Sequence, residues 1–250
     1  MRHYQLPGPF DWITIPAGPV TLDAGGYVPE PAAFDVAAFA IAQYPVTNAQ
    51  FAAFVEAGGY DQRQWWSATG WALRERYGWD SPRYWGQRDY NGPDCPIVGV
   101  SWYEASAFCR WLGDRAGRHI TLPTEQQWQR AAQGDDGREF PWGGAEPNTA
   151  VCNWNRDIDE TTPVTQYPDG ASAFGVMDMS GNVWEWCLTG WESGTLDPDS
   201  REARLLRGGS WSSDSPISLR AVHRSPLDPN ARLAPDYRHH STVGFRVVSL

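Results

Sequence analysis

The sequence predicts one α+β domain that is rich in loops and built from short elements. Aromatic residues and turn formers dominate it, with 15 Trp, 25 Gly and 20 Pro among 250 residues. Such a composition favours a core of large rings held by turns over a core of long amphipathic helices. No long linker, charge block or internal repeat divides the chain. A single domain over residues 1–250 is therefore the economical organisation.

Three segments are predicted to be helices because each combines an N-cap residue with apolar residues at helical spacing. Thr47 and Ser101 begin the first two, and each of these helices ends at a glycine. The third covers residues 123–132, with Thr124 as N-cap and Gln127 completing a capping box. Two to three helices are therefore expected.

The strands are predicted to be short. Residues 10–24 alternate around a Gly-Pro pair, which indicates a hairpin. Residues 60–94 show no clear period and are predicted to form a long loop packed by its own aromatic rings. Further extended segments are expected at residues 34–44, 183–188, 205–208 and 244–250.

The charge balance argues against two classes of partner. The formal net charge is −10, and every basic residue is arginine. A balance this acidic makes binding to nucleic acid or to an anionic membrane surface unfavourable. No apolar run approaches the roughly 18 residues of a membrane span, and the N-terminal residues lack a secretory signal. A cytoplasmic location is expected.

Cysteine usage predicts thiols rather than disulfides or zinc. Cys95, Cys109, Cys152 and Cys187 include no CxxC pair, and the chain has five His. Four cysteines are too few for a disulfide scaffold in a chain of this length. Buried, reduced thiols are the expected state.

Seven short phrases carry a family resemblance. They lie at residues 44–48 (YPVTN), 100–102 (VSW), 122–125 (LPTE), 140–143 (FPWG), 181–186 (GNVWEW), 206–211 (LRGGSW) and 244–248 (GFRVV). In that order they resemble the formylglycine-generating enzyme (sulfatase-modifying factor) family, a variant of the C-type lectin fold. The resemblance implies that residues 208–246 form the working surface.

The best-known activity of that family needs copper held by two cysteines, five and ten residues after the first Gly of the Gly-Gly-Ser-aromatic motif. Counting from Gly208 places Ser213 and Ser218 at these positions. A serine hydroxyl is a poor ligand for the soft Cu(I) ion, which thiolate suits. No copper is expected. A protein without enzymatic activity is favoured over an enzyme.

A second branch of the family comprises iron-dependent sulfoxide synthases of the ergothioneine type, whose three-histidine site lies partly on a separate N-terminal helical domain. The five histidines here include no HxxxH spacing. His239 and His240 are adjacent, and neighbouring residues of an extended chain point apart, so they make a poor chelating pair. An iron-dependent oxidase or oxygenase using the same cleft is the alternative function.

A third branch uses its C-terminal loops to bind. On this resemblance the expected function is a non-catalytic domain that presents residues 212–243 to a protein partner. The segment contains no Trp, Met, Lys, Gln or Glu, types that the diversified codons of retroelement variable proteins cannot produce. Two interpretations of this binding domain stay open: a retroelement-diversified protein, and an ordinary defence or signalling accessory domain. The expected contact residues are Trp211, Ser213, Asp214, Ile217, His223, Tyr237, His239 and His240.

The resemblance also implies a structural Ca²⁺ beside the GNVWEW phrase. Asp178 and Glu185 would supply side-chain oxygens, and Gly181 and Val183 backbone carbonyls, an oxygen-only set that suits Ca²⁺. The alternative is that Glu185 pairs with an arginine and Asp178 caps a turn.

The C-terminal segment also needs anchors if it is to stay ordered. Arg220, Arg224, Arg238 and Arg246 are expected to tie it down through hydrogen bonds to carbonyls and acids.

Overall fold

The computed structural model describes residues 6–87, 90–230 and 241–250, and its helices and strands are short. The strands are β1 (Trp12–Ile15), β2 (Gly18–Leu22), β3 (Ala32–Val36), β4 (Phe39–Ala42), β5 (Ile120–Thr121), β6 (Trp184–Gly190), β7 (Arg204–Arg207), β8 (Ser225–Leu227), β9 (Val243–Gly244) and β10 (Val248–Ser249). The helices are α1 (Asn48–Glu56), α2 (Ala68–Tyr77), α3 (Trp102–Ala116) and α4 (Glu125–Gln133).

Two four-stranded sheets and one hairpin organise these strands. The first sheet has the order β1-β4-β10-β5, the second has the order β8-β7-β6-β9, and β2 pairs with β3. All pairs are antiparallel except β6 with β9, which is parallel. The last two strands belong to different sheets, so residues 245–247 cross from one sheet to the other.

The hairpin predicted within residues 10–24 is wrong. β1 pairs with β4 over four residues, and β2 pairs with β3 over five. A two-residue hairpin turn would have to form at Pro16 and Ala17, but the favoured hairpin turns need positive φ angles that proline cannot adopt. Each strand therefore pairs with a partner further along the chain.

The capped helices are confirmed. Thr47, Ser101 and Thr124 each accept the backbone N–H of the residue three positions on. The Gln or Glu side chain at that third position accepts the N–H of the cap residue in return. The predicted capping box at Thr124 begins α4, and the predicted N-cap residues Thr47 and Ser101 also form capping boxes, which begin α1 and α3.

Helix α2 was not predicted, because its sequence lacks an apolar period. Gly70 is its one buried residue, so burial leaves no stripe of apolar side chains to recognise. What defines the helix is local: Ser67 caps its N-terminus and Gly78 ends it in the left-handed conformation at φ 62°. The segment predicted as a long loop therefore contains a helix of ten residues.

Aromatic rings build the main core, as the composition predicts. Phe51 of α1 stacks on Phe108 of α3 with ring centroids 5.4 Å apart, and Phe108 meets Phe245 edge-on at 5.5 Å. Phe245 belongs to the segment that crosses between the two sheets. The core therefore fixes that crossing and carries the next residue, Arg246, into the centre of the molecule, where it is fully buried.

Within the described part of the chain, no helix has the length and apolar character needed to cross a membrane.

Candidate functional site

A tight turn after β7 positions the segment that the motifs single out. Gly208 and Gly209 have φ angles of 96° and 71°, which residues other than glycine rarely adopt. A Cβ atom on Gly209 would lie 2.9 Å from the carbonyl oxygen of Ser218 and 3.3 Å from Oγ of Ser213. The two serines therefore converge on this turn. The Ser213 hydroxyl accepts the N–H of Ser210 at 3.0 Å and supports the backbone, so a thiolate copper site is replaced by a hydrogen-bonded turn.

Two of the expected contact residues are buried rather than exposed. Trp211 is 6% exposed and Ser213 is 9% exposed. The backbone oxygens of both residues accept N–H groups from Arg156 and Asn155, and the Trp211 indole donates to the carbonyl oxygen of Ser241 at 3.2 Å. These bonds hold the segment against the loop at residues 153–156, so the expectation that these two side chains are exposed is wrong.

The remaining described contact residues do reach the surface. Asp214 is exposed, Ile217 is 60% exposed and His223 is half-buried. A ligand-binding role for these three residues stays a prediction. Tyr237, His239 and His240 lie outside the described residues.

The calcium site expected at Glu185 is not formed. The Arg246 guanidinium pairs with both Glu185 oxygens at 2.6 Å, and Trp128 donates to the same carboxylate at 2.7 Å. The positive charge that calcium would bring is already supplied by an arginine that is fully buried. The Glu185 carboxylate is therefore not available to complete an oxygen shell with the carbonyls of Gly181 and Val183.

Asp178, the second expected calcium ligand, caps a turn instead. Its backbone is left-handed at φ 53°, and its Oδ2 accepts the side-chain amide of Asn182 at 2.8 Å. Burial raises the pKa of the Asp178 carboxyl to about 7, against the opposing effects of Asn182 and Arg246. The Asp178 carboxyl therefore serves the turn through its hydrogen bond with Asn182.

Arginines anchor the C-terminal segment. Arg224 donates to both oxygens of the buried Glu125 at 2.8 Å, and to the backbone oxygens of Asp23 and Gly25. Its guanidinium thereby joins the segment to the tip of the β2–β3 hairpin. The predicted anchoring roles of Arg224 and Arg246 are confirmed.

Two other predicted anchors differ from these. Arg220 forms an ion pair with Glu139 at 2.8 Å, and both side chains are more than two-fifths exposed. Arg238 lies outside the described residues. Fully buried Arg207, which was not predicted as an anchor, donates to the carbonyls of Ala221 and Val222.

A cavity of about 260 Å³ opens between the hairpin tip and the segment at residues 217–224. We call it the 217–224 cavity. Its lining residues are Asp23, Ala24, Trp191, Ile217, Arg220, Val222, His223 and Arg224. No sequence motif indicated Asp23 or Trp191, because both reach the cavity from distant parts of the chain.

His223 presents a neutral imidazole to this cavity. Burial, followed by the positive charges of Arg207 and Arg220, lowers the pKa of His223 below its ordinary value of 6.5. The imidazole ring packs against Trp184 with centroids 5.8 Å apart. At neutral pH this side chain can therefore donate and accept hydrogen bonds without carrying charge.

The described residues do not assemble a metal site by themselves. No group of three or more His, Cys, Asp or Glu side chains in the described ranges could hold an ion. All four cysteines are free thiols, as predicted, and burial raises the pKa of Cys152 to about 12. An iron site therefore does not fit the described residues alone.

The two sheets joined through the final strands, with long loops carrying the site, define a C-type lectin-like α+β domain. The chain belongs to the family of the sulfatase-modifying factor enzyme 1-like domain, whose model matches residues 6–249. The fold is similar to PvdO from Pseudomonas aeruginosa, with a TM-score of 0.71, 24% identity and coverage of 98% of this chain and 99% of that one. It is also similar to Treponema denticola variable protein 1, with a TM-score of 0.68, 20% identity and coverage of 98% and 97%. The predicted fold class and family are confirmed.

Among curated relatives, the chain is 40% identical over 205 residues to the hercynine oxygenase of Mycolicibacterium thermoresistibile. The match covers 71% of this chain and 45% of that protein. The chain thus spans about half the length of the curated relatives of that name. A relative named as an oxygenase contradicts the expectation of a non-catalytic binding domain with calcium as its cofactor, and it supports the alternative.

Proposed function

We propose that this domain forms the substrate-binding side of an iron-dependent oxygenase. The observation that carries the proposal is the 40% identity to a hercynine oxygenase over 205 residues. Membership of the family alone would not suffice, since one fold hosts unrelated activities. The serines at residues 213 and 218 give no support to the copper chemistry of the same family.

The 217–224 cavity is the place where the substrate would bind. It combines a neutral imidazole, an exposed aliphatic side chain and charged groups in one small concave site, which is the usual character of a small-molecule site. His223 would hold the substrate by a hydrogen bond, and Ile217 would exclude water from one side of it. Iron, when bound, would supply the activation of oxygen.

The metal ligands must then come from outside the described residues. A protein partner at the surface of residues 212–243 was expected from the sequence, and in this proposal that partner supplies metal ligands. The curated relatives extend to about twice the matched length, which is long enough to carry a second domain in this role. A cytoplasmic location, and the lack of nucleic-acid or membrane binding, remain predictions that accompany the proposal.

Oxygen uptake tests this function directly. The protein would be incubated anaerobically with Fe(II), then mixed with oxygen, hercynine as the probe substrate and a thiol as the sulfur donor. Iron-dependent oxygen uptake is expected for the wild type when it is mixed with the domain that supplies the metal ligands. The His223→Gln substitution is expected to lower the rate of oxygen uptake by about tenfold or more. This is the scale of losing one hydrogen bond to a reacting group.

His119→Gln is the matched control, because His119 lies on a different groove, beside α3 and β5. Its rate should equal that of the wild type. Equal rates for the two histidine variants would remove the cavity from the mechanism. A wild type that takes up no oxygen with iron, even when mixed with candidate partner domains, would overturn the oxygenase proposal.

A further inference from the structure

We infer that Trp184 is a positioning residue for His223: its indole ring holds the imidazole in one orientation at the 217–224 cavity. The inference deepens the proposed function, on which it rests, because it says how the hydrogen-bonding side chain of that function is kept in place. The two rings lie 5.8 Å apart between centroids and are inclined to each other by 46°. The contact joins residues that are far apart in the sequence.

The registers of the second sheet explain why these two residues meet. β7 lies between β6 and β8 and is antiparallel to both. Continued past the last paired residues, both registers lead to position 208, with Trp184 opposite it on one side and His223 on the other. Two strand spacings are about 10 Å, which an indole and an imidazole can span together. Gly208 has no side chain, so this position places nothing between the two rings.

Trp184 is fixed by the sheet and by the core. β6 is an inner strand, and the N–H of Trp184 donates to the carbonyl oxygen of Thr242 at 2.7 Å. The side chain packs against the main core. Trp186, on the same face of the strand, donates its indole N–H to the carbonyl oxygen of Val100 at 3.1 Å. The Trp184 ring therefore forms a rigid wall against which the imidazole packs.

The segment that carries His223 fixes its backbone but not its ring. The His223 N–H donates to the carbonyl oxygen of Arg220 at 2.9 Å. The carbonyl oxygens at positions 221 and 222 accept from the buried Arg207 at 2.8 and 3.3 Å. Rotation of the imidazole about its side-chain bonds breaks none of these contacts. The packing against Trp184 is therefore the interaction that selects the orientation of the ring.

Orientation matters because a hydrogen-bonding group contributes to a reaction only when it is aimed at its partner. A displacement of about 1 Å can cost on the order of a hundredfold in rate. Trp184 covers part of the imidazole and leaves the remainder to the cavity. Without that ring the imidazole would still be present, but it would point at the substrate for only part of the time.

A double-mutant cycle in the oxygen-uptake assay separates positioning from structural support. Trp184→Leu should lower the rate at saturating substrate by about tenfold or more, and Trp184→Phe, which keeps an aromatic ring, should recover most of it. In the His223→Gln background, Trp184→Leu should cause no further loss, because Trp184 acts only through the imidazole. An equal loss in both backgrounds would overturn the inference.

Trp71→Leu is the matched control. Trp71 is a half-buried tryptophan of α2 that packs against the same core and does not line the cavity. Its variant should take up oxygen at the wild-type rate. A loss as large as that of Trp184→Leu would show that any damage to the core suppresses the activity, and positioning would then be refuted.

Proton NMR of the His223 ring tests the contact without iron or oxygen. The carbon-bound ring protons, assigned by their disappearance in His223→Gln, should show a ring-current shift in the wild type and in Trp184→Phe. In Trp184→Leu they should move to the positions of an imidazole away from any aromatic ring. Unchanged positions in that variant would refute the positioning role, whatever the oxygen uptake. A wild type that shows the shift but takes up no oxygen would refute the oxygenase, and with it the role of the pair in the reaction, while the orientation of His223 by Trp184 would stand.

Discussion

Asp178 places a buried carboxyl with a strongly raised pKa in the centre of the domain. The pKa moves from its ordinary value of 3.8 to about 7, chiefly because burial disfavours the charged form. The folded state therefore binds the proton more tightly than the unfolded state. The resulting stability is fully present below about pH 3.8 and is lost as the pH rises through about 7.

Replacing Asp178→Asn should remove this loss, because the amide stays neutral at every pH. Its oxygen can still accept the Asn182 side-chain amide, which now donates at 2.8 Å. A change in pKa from 3.8 to about 7 corresponds to about 4 kcal/mol as an upper limit. The free energy of unfolding of the variant, relative to the wild type, should therefore rise by up to about 4 kcal/mol between pH 4 and pH 8.

Urea unfolding at several pH values measures this difference. Asp214→Asn is the matched control, since Asp214 is exposed and its replacement removes the same formal charge. Its free energy of unfolding should follow the wild type across the series. An Asp178→Asn variant that is less stable than the wild type at pH 8 would refute the reasoning, above all if added Ca²⁺ stabilises only the wild type. The carboxylate would then be acting as a cation ligand.

Three further predictions follow from the described contacts. Glu185→Gln should lower the free energy of unfolding by about 3–5 kcal/mol in urea titrations, because it leaves the buried Arg246 charge uncompensated. Gly26→Ala should lower the melting temperature more than Gly78→Ala: both glycines are left-handed, at φ 56° and 62°, but only the Cβ at residue 26 would collide with the Trp191 carbonyl. The His223 ring should titrate below pH 6.5 by NMR, so its contribution to stability is present above that pH and is lost as the pH falls through the lower folded-state value.

What the sequence could predict of the fold depends on how local each signal is. An N-cap residue lies within four residues of the N–H group that it accepts, so Thr47 and Thr124 marked their helices correctly. Helix α2 has equally local limits at Ser67 and Gly78, but its residues lack the apolar spacing that accompanies the caps of the other helices, so it was not predicted. Strand partners are not local at all, which is why β1 and β2 were wrongly joined.

The same distinction applies to the site. The Gly-Gly and Gly-Phe-Arg phrases located the segment at residues 208–246, because family motifs mark positions directly. Asp23 and Trp191 reach the cavity only through folding, and their own sequence neighbourhoods have no unusual feature. The alternative of a Glu185–arginine pair could be stated in advance, but its partner, 61 positions further on, could be identified only from the structure.

The functional prediction failed at a specific step. Ser213 and Ser218 stand where one copper reaction needs thiolates, and the expected absence of copper stays a prediction. The missing thiolates were also taken to mean that the domain is non-catalytic. That wider expectation has no physical basis, because it treats the loss of one metal site as the loss of all activity. A hydroxyl in place of a thiolate changes which metal the turn can bind, and leaves open any reaction whose metal ligands lie on another part of the protein.

The buried arginines explain how the exposed side chains of residues 208–246 can vary while the fold stays the same. Arg204 donates to the carbonyl oxygens of Leu188 in β6 and of Asp197 in the loop before β7, and its guanidinium lies over the Trp102 ring at 4.0 Å. Arg246 likewise holds the carbonyls of Ala42 and Met177. In these bonds an arginine side chain binds backbone carbonyl oxygens of other segments. They therefore constrain the path of a loop but not the identity of its exposed side chains. Exposed positions such as 217 and 220 can therefore vary with the substrate while the scaffold keeps its path, in agreement with a shared fold at only 20–24% identity to the solved structures.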